Sequence, residues 1–116
     1  TEIYTLSLHD ALPIYMAISQ IKRVSAQRLE RIMAVMKGVA HPLRFRIIVL
    51  LCDRPHNVNE MAALLDERQA SVSQHLAPLR MLGLVSVDRS GGNATYSLAE
   101  PMLRNLVACF ETHCAP

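Results

Sequence analysis

The chain has 116 residues, the length of one domain, and is 51% hydrophobic but only 4% aromatic, with no tryptophan. A core drawn from Leu, Ile, Val, Met and Ala suits packed helices better than a sheet sandwich. The formal charge is +2, and the longest apolar run, Ile47 to Cys52, falls far short of the roughly 20 residues of a membrane span.

Charge and cysteine usage narrow the class further. All twelve Lys and Arg follow Met16, whereas Glu2 and Asp10 precede it, so positive charge is concentrated in the later part and favours a polyanionic partner. Three cysteines, Cys52, Cys109 and Cys114, are too few and odd in number for a disulfide framework. No segment has the basic start, apolar middle and small-residue cleavage site of a secretory signal. A reducing, cytoplasmic setting without a membrane partner is the expectation.

Thr1 to Tyr15, TEIYTLSLHDALPIY, has no Lys or Arg, two of the three tyrosines and no helical period. It resembles the translated read of a sequencing adapter. Residues 1–15 are therefore expected to be a non-native or disordered extension, and residues 16–116 the functional domain.

From Ser25 to Ala40 the apolar residues Leu29, Ile32, Met33, Met36 and Val39 recur at helical spacing, and Gly38 loosens the end. A second helix opens at Pro42, where a missing N–H does no harm, and runs to Cys52. It is apolar almost all round beyond Arg46, which marks the buried centre; Asp53-Arg54-Pro55 stops it. Asn57 and Glu60 have capping-box spacing and open a third helix through Leu65. Asp66 to Gln69 form a short polar turn. A fourth helix follows from about Ala70 to Leu82, with Val72, Leu76 and Leu79 inward and Gly83 closing it. Pro78 inside it removes the bond to the Gln74 carbonyl and predicts a kink. Two short helices joined by a tight turn make a helix-turn-helix.

Past Gly83 the period changes. Leu84, Val85 and Val87 are β-formers, Ser90-Gly91-Gly92-Asn93 is a hairpin turn, and Thr95 to Leu98 alternates, which predicts a two-stranded wing. Pro101 to Cys114 returns to helical spacing with Leu103, Leu106, Val107 and Phe110. The expected fold is mainly α with a small β-hairpin wing: a winged helix-turn-helix of five helices. The last helix has an apolar stripe with no core left to cover in so small a domain, and the first presents Met33 and Met36 in the same situation, so a second subunit is the natural partner for both.

Val39-Ala40-His41-Pro42-Leu43-Arg44, then Arg68-Gln69-Ala70-Ser71-Val72-Ser73-Gln74-His75-Leu76, then Leu79-Arg80 and Gly83-Leu84-Val85 resemble the ArsR/SmtB family in order and spacing, over about Leu29 to Phe110. The Arg-Gln-Ala opening of the fourth helix is similar to a thiol- or persulfide-sensing branch. The resemblance implies a homodimeric transcriptional repressor that joins through its first and last helices. It also implies binding to an inverted repeat in double-stranded DNA and release on a ligand or redox signal.

A recognition helix enters the major groove with its N-terminal residues at base edges. Here these are Gln69, Ser71, Ser73, Gln74 and His75, and Gln pairs bidentately with adenine. Arg68, Arg80 and Arg89 are candidate phosphate contacts, with Asn93 beside Arg89 on the wing. An ordinary solvated face would also explain each of them.

The family's metal sites, checked on this chain, are incomplete. Asn57 and Asn59 stand where thiols would be needed. Glu100 and His113 fit two positions of the last-helix zinc site, but Met102 and Pro116 occupy the others. Cys52, Cys109 and Cys114 remain as candidate thiol sensors, and Cys109, His113 and Cys114 as candidate ligands of arsenite or another thiophilic ion. A Cys52 bridge to Cys109 or Cys114 would tie the second helix to the last. The thiol-sensing branch places its first cysteine nearer Val49 and its second about one residue from Cys114. Cys52 and Cys109 serving simply as small buried hydrophobes is the bland alternative. Cys109 with His113 lacks the orienting group and oxyanion cradle of a catalytic site, so no enzyme is expected. A protein-binding winged helix and an effector-independent repressor are the rival functions.

Overall fold

A computed structural model describes residues 12–14, 16–19 and 24–114. The chain divides into two compact units, residues 1–33 and 34–116. In the first, residues 12–14 and 16–19 are helical, and Leu12, Ile14, Met16 and Ile18 are exposed. Of the segment expected to be a non-native extension, the remaining residues, 1–11 and 15, lie outside the described ones.

The five expected helices are present, preceded by that further helical stretch among the described residues. Helix α1, Ala26–Val39, starts after Ser25, whose Oγ accepts the Arg28 N–H at 3.1 Å; a serine cap of this kind satisfies one otherwise orphaned donor. In the second unit α1 buries Val35 and Gly38. Gly38 does more than loosen the helix end: a Cβ there would meet Leu84 Cδ1 at 2.6 Å and Leu82 Cδ1 at 2.9 Å, so its missing side chain lets the helix approach those leucines.

Helix α2, Pro42–Asp53, begins with His41 as cap and Pro42 in the first turn. The ring nitrogen Nδ1 of His41 accepts the Leu43 N–H at 3.1 Å. Ile47, Ile48 and Leu51 are fully buried, so α2 is the centre of the unit, as its all-round apolar pattern predicts. Strand β1, His56–Asn57, is an addition to the expected hairpin. Two residues are too short to show a period, and the pairing that creates it comes from 40 residues away in sequence.

Helix α3, Val58–Leu65, is capped by the Asn57 side chain, which accepts the Glu60 N–H at 2.8 Å. This is half of the expected capping box, because the Glu60 carboxylate turns to Arg54 and His56. Asp66 closes α3 in the left-handed conformation, φ 53°, and the Glu67 N–H reaches back to the Ala62 carbonyl at 3.0 Å. Helix α4, Gln69–Met81, continues through Pro78 and buries Val72, Leu76 and Leu79. Gly83, φ 73°, ends it with Leu84 N–H bonded to the Leu79 carbonyl at 2.9 Å and Gly83 N–H to the Arg80 carbonyl at 3.0 Å. That bond pair is a Schellman closure, and its positive φ is the reason glycine stands there.

Strands β2, Val85–Asp88, and β3, Thr95–Leu98, pair antiparallel, and the sheet order is β1-β3-β2. Val85 opposes Leu98 and Asp88 opposes Thr95, while His56 opposes Tyr96 on the other edge of β3. The wing is thus anchored to the residue just before α3. Helix α5, Met102–His113, corrects one expectation. Leu103 and Val107 are buried in the common core, at roughly 1.5–3 kcal/mol for a side chain of this size, so α5 belongs to the fold and is not left wholly to a partner. Met102 and Phe110 remain exposed. No described helix is long and apolar enough to cross a membrane.

Candidate nucleic-acid interface

The polar face of α4 follows from its buried one. With Val72, Leu76 and Leu79 in the core, helical periodicity turns Gln69, Ser73 and Gln74 outward; these are exposed, while Ser71 and His75 are half-buried. Arg68, at the start of α4, caps it without a side-chain bond and is exposed. Arg80 is exposed near its end, and Arg89 and Asn93 are exposed on the wing loop. Asn93 lies beside Asn57, Val58 and Asn59 at the start of α3, where the five residues Asn57, Val58, Asn59, Asn93 and Ala94 enclose a crevice of about 120 Å³. Ser73 and Arg80 share a larger cleft with Tyr96 of the wing.

His75 is held from behind. Its Nδ1 accepts from Arg44 Nε at 3.4 Å, and its ring lies 4.4 Å from that of His41, tilted by 31°. Burial first, then the neighbouring His41 and Arg44, hold the His75 pKa below the usual histidine range, with Glu67 opposing. A ring nitrogen that accepts from Arg44 leaves the proton on Nε2, so His75 offers a donor at its other edge. Arg46 likewise ties α2 to the end of α3, donating from Nη2 to the Leu65 carbonyl 3.2 Å away.

Sequence patterns missed a second polar cluster. His56 is 2% exposed, with Nδ1 3.0 Å from Glu60 Oε2. Its Nε2 is buried with no hydrogen-bond partner among the described residues. Arg54 completes the cluster, 3.1 Å from the same carboxylate oxygen, and the two hydrogen bonds hold the Glu60 carboxyl below its ordinary range. The four-residue spacing of His56 and Glu60 was the available signal; burial came from β1 pairing.

The thiols are spread apart. Arg104, at the start of α5, donates to the Cys52 carbonyl at the end of α2. Phe110, late in α5, sits 5.8 Å from Phe45, early in α2. The two helices therefore run antiparallel, with Cys52 at one end of their contact and Cys114 beyond the other. Cys114 shares a groove of about 460 Å³ with Phe45, Val49, Val107, Phe110 and Glu111. From Phe45 to Cys52 is about 10 Å of helix axis at 1.5 Å per residue, whereas a disulfide needs Cα atoms within roughly 7 Å. Cys109 is exposed, on a different face from buried Val107. The structure thus does not bring Cys52 against either C-terminal thiol. Burial raises the Cys52 pKa, Arg104 lowers it and Glu111 adds to the rise. His113 is exposed, and no three His, Cys, Asp or Glu side chains are grouped for a metal among the described residues; Pro116 lies outside them.

A short helix, a tight turn, a second helix with its polar side in solvent and a β wing define a winged helix-turn-helix regulator. Residues 41–87 match the family described as bacterial regulatory protein, arsR family. The chain is 34% identical over 91 residues to the biofilm growth-associated repressor of Agrobacterium fabrum, covering 78% of each. Other curated regulators that it matches include some of which it spans 54% and others of which it spans 82% of the length. Among solved structures it is similar to HlyU from Vibrio cholerae N16961, with TM-score 0.71 and 25% identity, covering 78% of this chain and 100% of that one. It is also similar to a homodimeric winged helix-turn-helix DNA-binding domain from Mycobacterium bovis, with TM-score 0.68 and 26% identity, covering 77% and 82%. The chain belongs to the ArsR family of bacterial regulatory proteins.

Proposed function

We propose that this protein is a cytoplasmic, sequence-specific DNA-binding repressor that acts as a homodimer on an inverted repeat. The observation that carries the proposal is the exposed polar ridge of α4, Gln69, Ser73 and Gln74, backed by buried Val72, Leu76 and Leu79. Gln69, Ser71, Gln74 and His75 read base edges, and Arg68, Arg80, Arg89 and Asn93 hold the backbone. Apolar residues left in solvent support dimerisation: α1 presents Leu29, Met33 and Met36, and α5 presents Met102 and Phe110. Exposed patches of this kind mark interaction sites. The similarity to a homodimeric relative agrees.

The signal that releases DNA acts on thiols, through exposed Cys109 and Cys114 or through Cys52, as a thiol-reactive oxidant or persulfide. A thiophilic ion such as arsenite, drawing on the softness of the exposed Cys109 and Cys114 thiolates, is the second form of that signal; because Cys109, His113 and Cys114 are not grouped as ligands in this structure, its capture would require the end of α5 to rearrange.

Selection of duplexes from a randomised pool, followed by fluorescence anisotropy and light scattering, tests the proposal. Enrichment of one inverted repeat bound by two chains is the expected result. Salt-insensitive or absent retention on DNA would replace it with a protein-binding module. Binding that ignores arsenite, persulfide and oxidant alike would make the repressor effector-independent.

A further inference from the structure

Between α4 and the wing lies a cleft of about 400 Å³ lined by Ser73, Leu76, Ala77, Arg80, Met81 and Tyr96. Its chemistry is one-sided: a guanidinium and two hydroxyls, and no carboxylate in the lining. Ser73, Ala77 and Arg80 recur at helical spacing, so they form one ridge of α4 facing the wing. Tyr96 supplies the opposite wall from β3, which is paired on both edges, to His56 and to Val87. That double pairing makes it the best-fixed strand of the sheet.

The apolar part of the lining is unusual in one respect. Leu76 is buried at 1%, but Met81 is 88% exposed, the most exposed of the large hydrophobic residues described. A nucleic-acid backbone alternates an anionic phosphate, which takes donors, with an apolar sugar, which takes a thioether or methyl contact. The cleft offers those two surfaces side by side, at the flank of the helix that the preceding proposal places in the groove.

We infer that this cleft seats one phosphodiester of the duplex, with the Tyr96 and Ser73 hydroxyls and the Arg80 guanidinium as donors and Met81 against the adjoining sugar. The inference rests on the DNA-binding reading and extends it. Tyr96 becomes a positioning residue that no sequence pattern singled out, and Ser73 moves from base edge to backbone. Because the seat joins wing and recognition helix, it sets the depth and angle at which Gln69 and Gln74 meet the bases.

The test uses the full chain and a duplex that the wild-type protein selects from a randomised pool. Failure to enrich any duplex removes the DNA-binding reading itself, and the seat with it. With a duplex in hand, affinity is measured by fluorescence anisotropy across a salt series. Tyr96→Phe is expected to weaken binding about ten-fold, the scale of one hydrogen bond to a charged group, with the salt slope unchanged because a neutral hydroxyl releases no counterion. Arg80→Gln is expected to weaken binding and to flatten the slope by roughly one ion per seat. Ser73→Ala should weaken all selected sequences alike. Wild-type affinity in a normally folded Tyr96→Phe protein overturns the seat while DNA binding stands. If that variant melts early, duplexes carrying a neutral methylphosphonate at successive backbone positions decide the matter. One position must weaken the wild type more than it weakens Tyr96→Phe; the absence of such a position overturns the seat.

Discussion

Arg44 Nε donates to His75 Nδ1 across 3.4 Å, joining the first turn of α2 to α4. The ring of His41, itself committed as the α2 cap, lies against His75. Both imidazoles therefore use Nδ1 as an acceptor, His41 within the α2 cap and His75 toward Arg44, and protonating the His75 nitrogen would break the bond that joins the two helices.

Acid sensitivity follows. The folded state holds the His75 pKa below its ordinary value, so just below about pH 6.5 the unfolded chain binds more protons than the folded one. Stability there rises with pH. The contribution is complete above the unfolded value and is lost as pH falls through it toward the depressed folded one. Glu60, held low by His56 and Arg54, adds a second loss only as pH falls through the carboxylate range. Thermal melts at constant ionic strength should show wild type losing stability between neutral and mildly acid pH, and His75→Gln losing less. Parallel curves would count against the histidine.

Base reading and backbone holding should separate by mutation. Arg89→Ala is expected to weaken every duplex similarly and to reduce the salt slope by about one for each phosphate that the guanidinium no longer neutralises. Gln74→Ala should cost about 1–3 kcal/mol against the preferred duplex and relax the choice at one base pair in each half-site. A competition assay over single-base variants of the selected duplex distinguishes the two patterns.

The apolar exposure on α1 and α5 predicts a separation of folding from assembly. Met36→Glu combined with Phe110→Glu should give a folded monomer by light scattering, because both side chains are substantially exposed in the single chain. Leu103→Ala should act on the fold instead, costing about 2–5 kcal/mol for a large-to-small change at a fully buried site. A double glutamate variant that remains dimeric would move the interface elsewhere.

Asp66 sits at φ 53°, a conformation that glycine adopts without the Cβ penalty. Asp66→Gly should stabilise the protein by up to about 1 kcal/mol in chemical denaturation, and Gly83→Ala, at φ 73°, should destabilise it by about 1 kcal/mol or more. Opposite signs at two equivalent helix closures would establish that backbone strain, not side-chain contact, governs both.

The cysteines should react in order of exposure. Timed alkylation followed by intact mass should label Cys109 and Cys114 first and Cys52 last, since Cys52 is part-buried with a raised pKa. Oxidation of dilute protein should give no Cys52 to Cys114 bridge within one chain. Finding that bridge would require α2 and α5 to slide by about two turns.

Elements governed by local rules were legible in advance. Pro42, Asn57 and Gly83 mark helix ends because each meets a backbone need within a few residues of itself. Val72, Leu76 and Leu79 mark a buried face because helical period alone places them together. The three-stranded sheet, the buried His56, the Arg44–His75 bond and the Tyr96 wall were not legible. Each joins residues far apart in the chain, and neither periodicity nor capping chemistry carries information over that separation.

Residue order thus decided by itself which segments became helix, turn or hairpin, and which side of the recognition helix stayed polar, since these depend on neighbours within one or two turns. Tertiary packing alone decided that Leu103 and Val107 would anchor the last helix, that Cys52 would stand away from the other thiols, and that Ser73, Arg80 and Tyr96 would line one cleft. Those outcomes depend on how helices cross and how β3 pairs, which is set by the collective filling of one core rather than by any local stretch.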